Sequence, residues 1–307
     1  MKWQVHRLKV PPAVAGLRLD QFLAQEIADL SRTRARKMID LGGVHINGQR
    51  SRTCGYAVKP GDLVELYIDQ LPLEPYRIAE QHLVYRDQYL IVLNKPAGID
   101  TQPTHARYKG TLYEALQVYL QDAFAPRKKP ELGMVQRLDR STTGLIAFSV
   151  HPAAHKQMTH LFHEGQVHKC YLALVAGVPA RVSGKIRSCL ARSRQGNRVH
   201  SVDAGGKLAL TRYRVVRRLA GAALVAVRIY TGRSHQIRAH LAELGHPLLG
   251  DERYGGPMEL GDLSFEQPVL HACKLQFAHP LTQERLRFRQ PLPAATCQAL
   301  SFLESKS

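Results

Sequence analysis

The sequence contains few cysteines, and none of them form a pattern that binds zinc. Its 307 residues include five cysteines, an odd number, and no two of them make a C-x-x-C pair. They lie far apart, at Cys54, Cys170, Cys189, Cys273 and Cys297. We therefore expect reduced thiols, with neither a disulfide framework nor a structural zinc site.

Long apolar runs are also missing. No stretch approaches the roughly 18 to 20 apolar residues that cross a bilayer, and the first residues lack the apolar core of a signal peptide. No internal repeat or low-complexity segment is visible. With 44% hydrophobic and 22% charged residues, the composition is that of an ordinary globular protein. We predict a cytoplasmic location and no membrane segment.

Acidic residues are scarce relative to basic ones. The chain has 43 Lys and Arg against 25 Asp and Glu, which gives a net charge of +18 and a pI near 9.9. Residues 1–80 carry 12 basic and 9 acidic side chains, so most of the surplus lies further along the chain. This charge favours a polyanionic partner such as a nucleic acid.

The first 68 residues are predicted to form a separate module with its core at residues 17–68. Apolar residues recur there at helical spacing, Ser31 can cap a second helix, and Gly42 can end it. Asn47-Gly48 then predicts a two-residue hairpin between short strands. Two helices followed by strands, with a basic second helix, resemble the small α-L RNA-binding module of a small-subunit ribosomal protein and of tyrosyl-tRNA synthetase.

The rest of the chain has a different pattern. Residues 69–80 contain two prolines and little periodicity, which is typical of a linker. Strands dominate residues 81–307: the predicted strands are 89–94, 145–150, 171–178, 210–217 and 224–230, and the predicted helices are 112–120, 153–163 and 235–244. Strands in runs with scattered helices indicate an α+β domain rather than a repeated βαβ fold.

The most informative motif is Arg137-Leu138-Asp139-Arg140-Ser141-Thr142-Thr143-Gly144, which puts one carboxylate between two arginines in a turn. The apolar run at residues 145–150 predicts a buried strand that holds this turn rigidly. On these residues alone, Asp139 is either a reacting acid or an acid that hydrogen-bonds only the amides of its own turn.

Together with residues 231–241, TGRSHQIRAHL, this motif resembles the signature motifs of the RluA-type pseudouridine synthases. Four further blocks follow the order of that family: LNKPAG at 93–98, HKCYLA at 168–173, GHPLLGD at 245–251 and LHA at 270–272. Two positions depart from the usual pattern. Gln136 stands where a His is common and Thr143 where a Ser is common, and these changes concern substrate detail more than chemistry.

The resemblance implies an RNA uridine isomerase with a long mixed, mostly antiparallel sheet and an active cleft across its middle. Such an enzyme breaks the bond between ribose and uracil, turns the base and rejoins it through carbon 5. These steps need an ionised carboxylate but no electrons and no group donor, so we expect neither cofactor nor metal.

By resemblance, Asp139 is the catalytic carboxylate, Arg238 is its bidentate cationic partner, and Tyr171 stacks on the uracil and helps to remove the carbon 5 proton. An exposed helix arginine and an ordinary core tyrosine are the alternatives for the last two. Arg137 is expected to occupy the place in the base stack that a flipped-out uridine vacates. Arg233 is a second candidate for the partner of Asp139 or for a phosphate contact.

Further predicted RNA contacts come from four parts of the chain. They are Lys169, on the strand face of Tyr171; His235 and Gln236 in the second motif; Arg32, Arg34, Arg36 and Lys37 of the second helix; and Arg192, Arg194 and Arg198. The last three lie in residues 181–218, where eleven residues are basic and one is acidic. We interpret that segment as a surface for RNA backbone, with a plain exposed hairpin as the alternative.

Other function classes stay open at this point. A catalytically silent RNA-binding or ribosome-assembly factor would be favoured by the loss of Asp139, Tyr171 or Arg238, all of which are present. A metal-dependent nuclease would need clustered carboxylates. Residues 151–168 contain closely spaced histidines, but Pro152 and the absence of a nearby carboxylate pair argue against a closed metal site there. The sequence favours an isomerase for 23S ribosomal RNA, or for tRNA, with no obligate protein partner.

Overall fold

The structure is a computed structural model that describes residues 4–124, 130–193 and 198–306. The chain divides into two compact units, one made of Met1–Ile78 and Ile99–Pro130 and the other of Ala79–Gly98 and Glu131–Ser307. The helices are α1 (Leu19–Glu26), α2 (Arg32–Leu41), α3 (Leu112–Phe124), α4 (Pro152–His163), α5 (Gln236–Glu243) and α6 (Ala294–Ser305).

The strands are β1 (Gln4–Lys9), β2 (Val44–Ile46), β3 (Gln49–Ser51), β4 (Leu63–Ile68), β5 (Leu83–Arg86), β6 (Leu90–Lys95), β7 (Gly133–Met134), β8 (Thr143–Ser149), β9 (His168–Ala176), β10 (Ser183–Arg192), β11 (Val199–Val202), β12 (Lys207–Leu219), β13 (Ala222–Ile229), β14 (Glu259–Leu260), β15 (Leu263–Ser264), β16 (Leu270–Ala278) and β17 (Arg285–Arg289). No helix in the described part of the chain is both long and apolar enough to cross a membrane.

The first unit contains the predicted helix pair and hairpin. Ser31 caps α2, since its hydroxyl accepts a hydrogen bond from the backbone N of Arg34 at 3.2 Å, and α2 ends at Gly42 with a left-handed φ of 91°. Asn47 and Gly48 have positive φ angles of 50° and 79°, as the tight hairpin between β2 and β3 requires. The sheet order is β1-β4-β2-β3.

Residues 69–78 and 99–130 pack into this same unit. The buried Asp69 accepts hydrogen bonds from Arg107 Nε at 2.9 Å and from Arg107 Nη2 at 3.1 Å. The backbone N of Tyr108 donates to the carbonyl of Leu41, at the end of α2, at 2.7 Å. The segment with the composition of a linker therefore takes part in packing, and the domain boundaries at 68 and 80 stay predictions.

The second unit is built on an eleven-stranded sheet. Its order is β11-β10-β12-β13-β9-β16-β8-β6-β5, with β17 paired to β16 and β7 paired to β8. The pair β16 and β8 is parallel, and the other pairs are antiparallel. This is the long mixed, mostly antiparallel sheet of the predicted α+β fold.

Different helices cover the two faces of this sheet. On the front face, Met158 and Leu161 of α4 pack in a core cluster with Leu275 of β16. α5 lies on the same face, where its His240 Nε2 is 3.0 Å from the hydroxyl of Ser188. On the back face, α6 packs in a cluster that includes Leu172 and Leu174 of β9, Leu224 of β13, and Leu300 and Leu303 of the helix itself.

Candidate active site

The turn that carries Asp139 is held by its backbone. The N–H of Thr142 donates to the carbonyl of Asp139 at 3.0 Å. The next carbonyl, of Arg140, accepts hydrogen bonds from the N–H of Gly98 at 2.9 Å and from Lys95 Nζ at 3.0 Å. Lys95 is fully buried. Among the described residues, no amide of the turn donates to the carboxylate of Asp139, whose side chain is 27% exposed, so the carboxylate is available to the cleft.

The turn is also tied to the neighbouring strand. The hydroxyl of Thr143 lies 2.8 Å from His271 Nδ1, and His271 Nε2 is 3.2 Å from the carbonyl of Gln290. At Gly144, φ is +104°, and a Cβ would lie 2.8 Å from the backbone N of Ala272 and would also overlap its carbonyl oxygen. Only glycine fits this close approach of β8 to β16 without a shift of the backbone.

Arg238 lies in α5 and is buried between two carboxylates. Its Nε and Nη2 donate to the two oxygens of Asp251 at 2.7 and 2.6 Å, while its Nη1 is 3.6 Å from Asp139 Oδ2. The proximity to Asp139 agrees with the prediction, but the expected bidentate contact with Asp139 is wrong, because Asp251 occupies that edge of the guanidinium. Burial would lower the pKa of Arg238, and the hydrogen bonds to Asp251 outweigh it and raise that pKa.

His235 approaches the same carboxylate from the start of α5. Its Nε2 is 3.9 Å from Asp139 Oδ2, its Nδ1 is 3.0 Å from the hydroxyl of Tyr254, and its φ of +50° is left-handed. Burial lowers the pKa of His235 to about 4 although Asp139 opposes this. The imidazole is therefore neutral at pH 7, and with Tyr254 donating to Nδ1 we assign the proton to Nε2, toward Asp139.

Tyr171 and Lys169 lie on one face of β9, two residues apart, and both line the cleft, as predicted. Tyr171 is 6% exposed, and burial, aided by the charge of Asp139, raises the pKa of its hydroxyl. The hydroxyl therefore keeps its proton at neutral pH. Burial lowers the pKa of Lys169, and its Nζ lies 5.7 Å from the ring centre of Phe162.

These groups surround a single cleft in the second unit, with a volume of about 520 Å³. Asp139, Tyr171, Arg238 and His235 form one part of its wall, and Arg137 and Arg233 also line it. A cavity of this size is within the range of small-molecule sites and can hold a single nucleotide base with its sugar. The sequence motifs, which are about ninety residues apart, therefore meet at one site.

The remaining residues of the two motifs have different roles. Arg137 is exposed, and its Nη2 donates to the hydroxyl of Ser234 at 3.1 Å. Arg233 Nε donates to the carbonyl of Leu208 at 3.0 Å. Gln236 is 2% exposed, and its amide makes hydrogen bonds to Thr231, Arg233, Leu210 and Thr211. We therefore assign Gln236 to the frame of the turn instead of to RNA contact, which corrects the prediction.

Of the other predicted RNA contacts, those that the structure describes are not among the residues that line the cleft. Arg192 is exposed at the end of β10, and Arg198 lies 5.3 Å from the ring centre of Tyr254. Arg194 lies outside the described residues. In the first unit, Arg32 and Arg36 form ion pairs with the buried Asp20 at 3.1 and 3.9 Å, and Lys37 pairs with Glu74 at 2.9 Å. Arg34 is exposed.

Sequence reasoning gave no role to three residues that shape this site. Asp251 closes a family block, yet its pairing with Arg238 is visible only in the structure. Tyr254 lies under the guanidinium of Arg238, with its ring centre 4.9 Å from Cζ. Lys95 lies in the block at 93–98, and the sequence predicts no separate function for it. In the part of the chain that the structure describes, no three His, Cys, Asp or Glu side chains are grouped to hold a metal ion.

Comparisons with known proteins identify the family of this chain. A model of the RNA pseudouridylate synthase family matches residues 89–243, and the chain is 36% identical over 309 residues to an uncharacterized RNA pseudouridine synthase of Chlorobaculum parvum, across 93% of this chain and 94% of that protein. The chain belongs to the RNA pseudouridylate synthase family. An S4 domain model matches residues 17–64, which confirms the predicted amino-terminal RNA-binding module.

A further relative and a solved structure extend the comparison. The chain is 32% identical over 303 residues to ribosomal large subunit pseudouridine synthase D of Pasteurella multocida, across 94% of this chain and 92% of that one. The solved structure of human RNA pseudouridylate synthase domain containing 4 aligns with a TM-score of 0.61 and 24% identity, over 73% of this chain and 93% of that one, which shows the shared fold. This pseudouridine synthase is thus an isomerase that acts on RNA, as predicted.

Proposed function

We propose that this pseudouridine synthase isomerises uridines in large-subunit ribosomal RNA, with Asp139 as its catalytic carboxylate. The observation that carries the role of Asp139 is its position in the cleft wall, 3.6 Å from a guanidinium that is itself held by Asp251. The ribosomal target rests on similarity to the enzyme of Pasteurella multocida, whose name gives that substrate. A tRNA target is the second candidate, and the cytoplasmic location stays a prediction.

The site supplies what the rearrangement needs. Arg238 keeps a positive charge 3.6 Å from the carboxylate of Asp139, and the neutral His235 has its Nε2 3.9 Å from the same carboxylate. Asp139 then attacks the sugar, adds to the ring or removes a ribose proton; these three routes stay open. In this proposal Tyr171, which lines the cleft, stacks on the freed uracil, and water that enters the cleft accepts the carbon 5 proton.

The position of Arg137 supports an everted substrate. A uridine in a stem or loop must swing out to reach a carboxylate in a cleft. Arg137 is exposed at the rim, two residues from Asp139, and its guanidinium is anchored by one hydrogen bond to Ser234. A planar cation in that place can fill the vacated stack.

The test of the proposal is Asp139→Asn. This change is nearly isosteric, so we expect the fold and RNA binding to persist while isomerisation is abolished, measured as release of tritium from carbon 5 of labelled uracil in ribosomal RNA. The matched control is Asp203→Asn, which alters an exposed carboxylate between β11 and β12 and should leave turnover unchanged. Turnover within about tenfold of wild type, about 1.4 kcal/mol, would contradict the role of Asp139.

The target is tested separately. Pseudouridines are mapped in ribosomal RNA and in tRNA from cells with and without the gene, and we expect at least one large-subunit position to lose its modification. Loss confined to tRNA would support the second candidate. If no pseudouridine is lost in either RNA, although the purified protein binds RNA, the result would favour the catalytically silent RNA-binding or assembly factor that the sequence left open.

A further inference from the structure

The second unit carries a row of cations that the active-site chemistry does not use. The row consists of residues that are directly opposed across six neighbouring strands. In the order of the strands across the sheet, they are Lys185 of β10, Arg212 of β12, Arg228 of β13, Cys170 of β9, Lys274 of β16 and Arg289 of β17. Five of the six positions are basic, and we refer to these six residues as the cation row.

The cation row lies on the back face of the sheet. In β9, Cys170 stands between Lys169 and Tyr171, whose side chains line the cleft, and successive side chains of a strand point to opposite faces. Leu172 and Leu174 share the face of Cys170, and both belong to the cluster that packs against α6. The row is therefore turned away from Asp139, so the cations cannot contact the reacting uridine.

Within the described residues, no acidic side chain pairs with these charges. No acidic residue occurs in any of the six strands, and none of the five cations forms an ion pair with a described residue. Arg228 is half-buried and the other four cations are exposed. Further exposed arginines on the same strand faces are Arg187, Arg214, Arg285 and Arg287.

Such an arrangement has a cost in the free protein. Like charges that are directly opposed on neighbouring strands repel each other, and here Lys185 opposes Arg212, which in turn opposes Arg228. A bound polyanion would remove that repulsion. Six strands at about 4.8 Å spacing extend the row over about 24 Å, which is several times the roughly 3.4 Å between successive nucleotides along a duplex strand.

We propose that the cation row binds the phosphate backbone of an RNA segment that lies outside the cleft, so that the RNA contacts both faces of the sheet. RNA is the polyanion that the family already acts on. None of the six residues is aromatic, which fits phosphate contacts better than base stacking. The row would therefore add affinity without sequence preference and would favour long, structured RNA over short fragments.

The experiment compares two double variants that remove the same charge. The test variant is Lys185→Gln with Lys274→Gln, which are exposed lysines on separate strands of the row. The control is Lys156→Gln with Lys306→Gln, exposed lysines of α4 and of the carboxyl-terminal end. Binding to a long RNA duplex of arbitrary sequence is measured across a salt series, so the result does not depend on which RNA is the natural target.

We expect the test variant to bind the long duplex more weakly and to show a slope of log affinity against log salt that is shallower by about 1.4 to 1.8, since each phosphate contact contributes roughly 0.7 to 0.9. The control should keep the wild-type slope. Both variants should bind a short stem-loop as wild type does and should turn over saturating substrate at the wild-type rate, because the cleft is intact.

Three results would overturn the proposal. They are an unchanged slope for the test variant, an equal change in the control, and an equal loss for the short stem-loop. An unchanged slope would mean that the cation row binds another polyanion, such as an acidic protein. An equal change in the control would indicate a general effect of net charge. An equal loss for the short stem-loop would mean that the lysines contact RNA at the cleft. None of them depends on Asp139 or on the ribosomal target, which the tritium assay and the mapping test independently.

Discussion

Asp251 and Asp139 contact the same guanidinium in different ways. Asp251 is 1% exposed and takes two short hydrogen bonds from Arg238, whereas Asp139 lies 3.6 Å from a third nitrogen. The first contact fixes the orientation of the cation, and the second leaves the carboxylate of Asp139 without a hydrogen bond from it. At the residue scale, the site is therefore a positioned cation with a hydrogen-bonded carboxylate on one side and the proposed catalytic carboxylate on the other.

This division of roles predicts different outcomes for single and double variants. Asp251→Leu should lower the free energy of unfolding by about 3 to 5 kcal/mol, because Arg238 stays buried without its partner. Adding Arg238→Met should recover most of that stability, since a buried ion pair can often be replaced by apolar side chains at little cost. Turnover should not return, because Asp139 then lacks its cation. Urea unfolding and tritium release measure the two quantities.

The matched control is the buried pair of Asp69 and Arg107 in the first unit, which has the same two-bond geometry at 2.9 and 3.1 Å. Asp69→Leu alone and with Arg107→Met should reproduce the pattern in stability. Turnover at saturating RNA should not change in the folded double variant. If the Asp251 and Arg238 double variant regains turnover as well as stability, the positive charge beside Asp139 is not required.

At the scale of elements, the junction of β8 and β16 decides where Asp139 stands. These two strands form the parallel pair of the sheet, and they are paired at only two positions, Thr143 with His271 and Gly144 with Ala272. Because Asp139 lies a few residues before β8, a shift of β8 would move its carboxylate relative to Arg238. The glycine at 144 is therefore a geometric requirement of the site as well as of the sheet.

Gly144→Ala tests this requirement, with Gly205→Ala as its matched control. Both glycines have positive φ, +104° and +74°, but nothing lies within 4 Å of a Cβ at Gly205. The control should lose only the cost of a left-handed alanine, about 1 to 2 kcal/mol. Gly144→Ala should lose about 1 to 3 kcal/mol more through steric overlap and should also lower kcat. Equal losses in stability and unchanged kcat would contradict this account of the junction.

At the scale of the whole molecule, the chain leaves its first compact unit and returns to it. Residues 99–130 follow a strand of the second unit but pack with residues 1–78, through contacts such as Arg107 with Asp69 and the backbone of Tyr108 with Leu41. A cut at the segment 69–80, which the sequence suggests as a linker, would divide this unit.

We therefore expect a fragment of residues 81–307 to unfold at a lower temperature than the full chain. In the fragment, residues 99–124 lose the residues of 1–78 that they pack against, and Arg107 loses both its cover and its ion pair with Asp69. Arg107→Met should then destabilise the full-length protein by about 3 to 5 kcal/mol, because it removes the cation that pairs with the buried Asp69, and should leave the stability of the fragment nearly unchanged. Thermal unfolding of the four proteins checks this, and a fragment as stable as the full chain would support the boundaries predicted from the sequence.

The sequence by itself determined the elements whose signals are local. The hydroxyl of Ser31 caps α2, Gly42 ends it, and Asn47-Gly48 makes a hairpin, because each feature depends on the conformation of one or two residues. The apolar run after Asp139 is also predicted locally, because a short run of apolar residues is typical of a buried strand. The motifs then identified the family, and the resemblance predicted Asp139, Tyr171 and Arg238 as site residues.

The tertiary structure decided what depends on residues distant in the sequence. β10 and β17 are rich in basic and polar residues, so their strand character comes from pairing with β12 and β16 and not from an apolar pattern. Asp251 holds Arg238 only because the fold brings two buried groups together. The pairing register of the strands aligns Lys185, Arg212 and Lys274 across the sheet. Hydrogen bonds between strands fix which residues are cross-strand neighbours, and the sequence does not reveal this pairing.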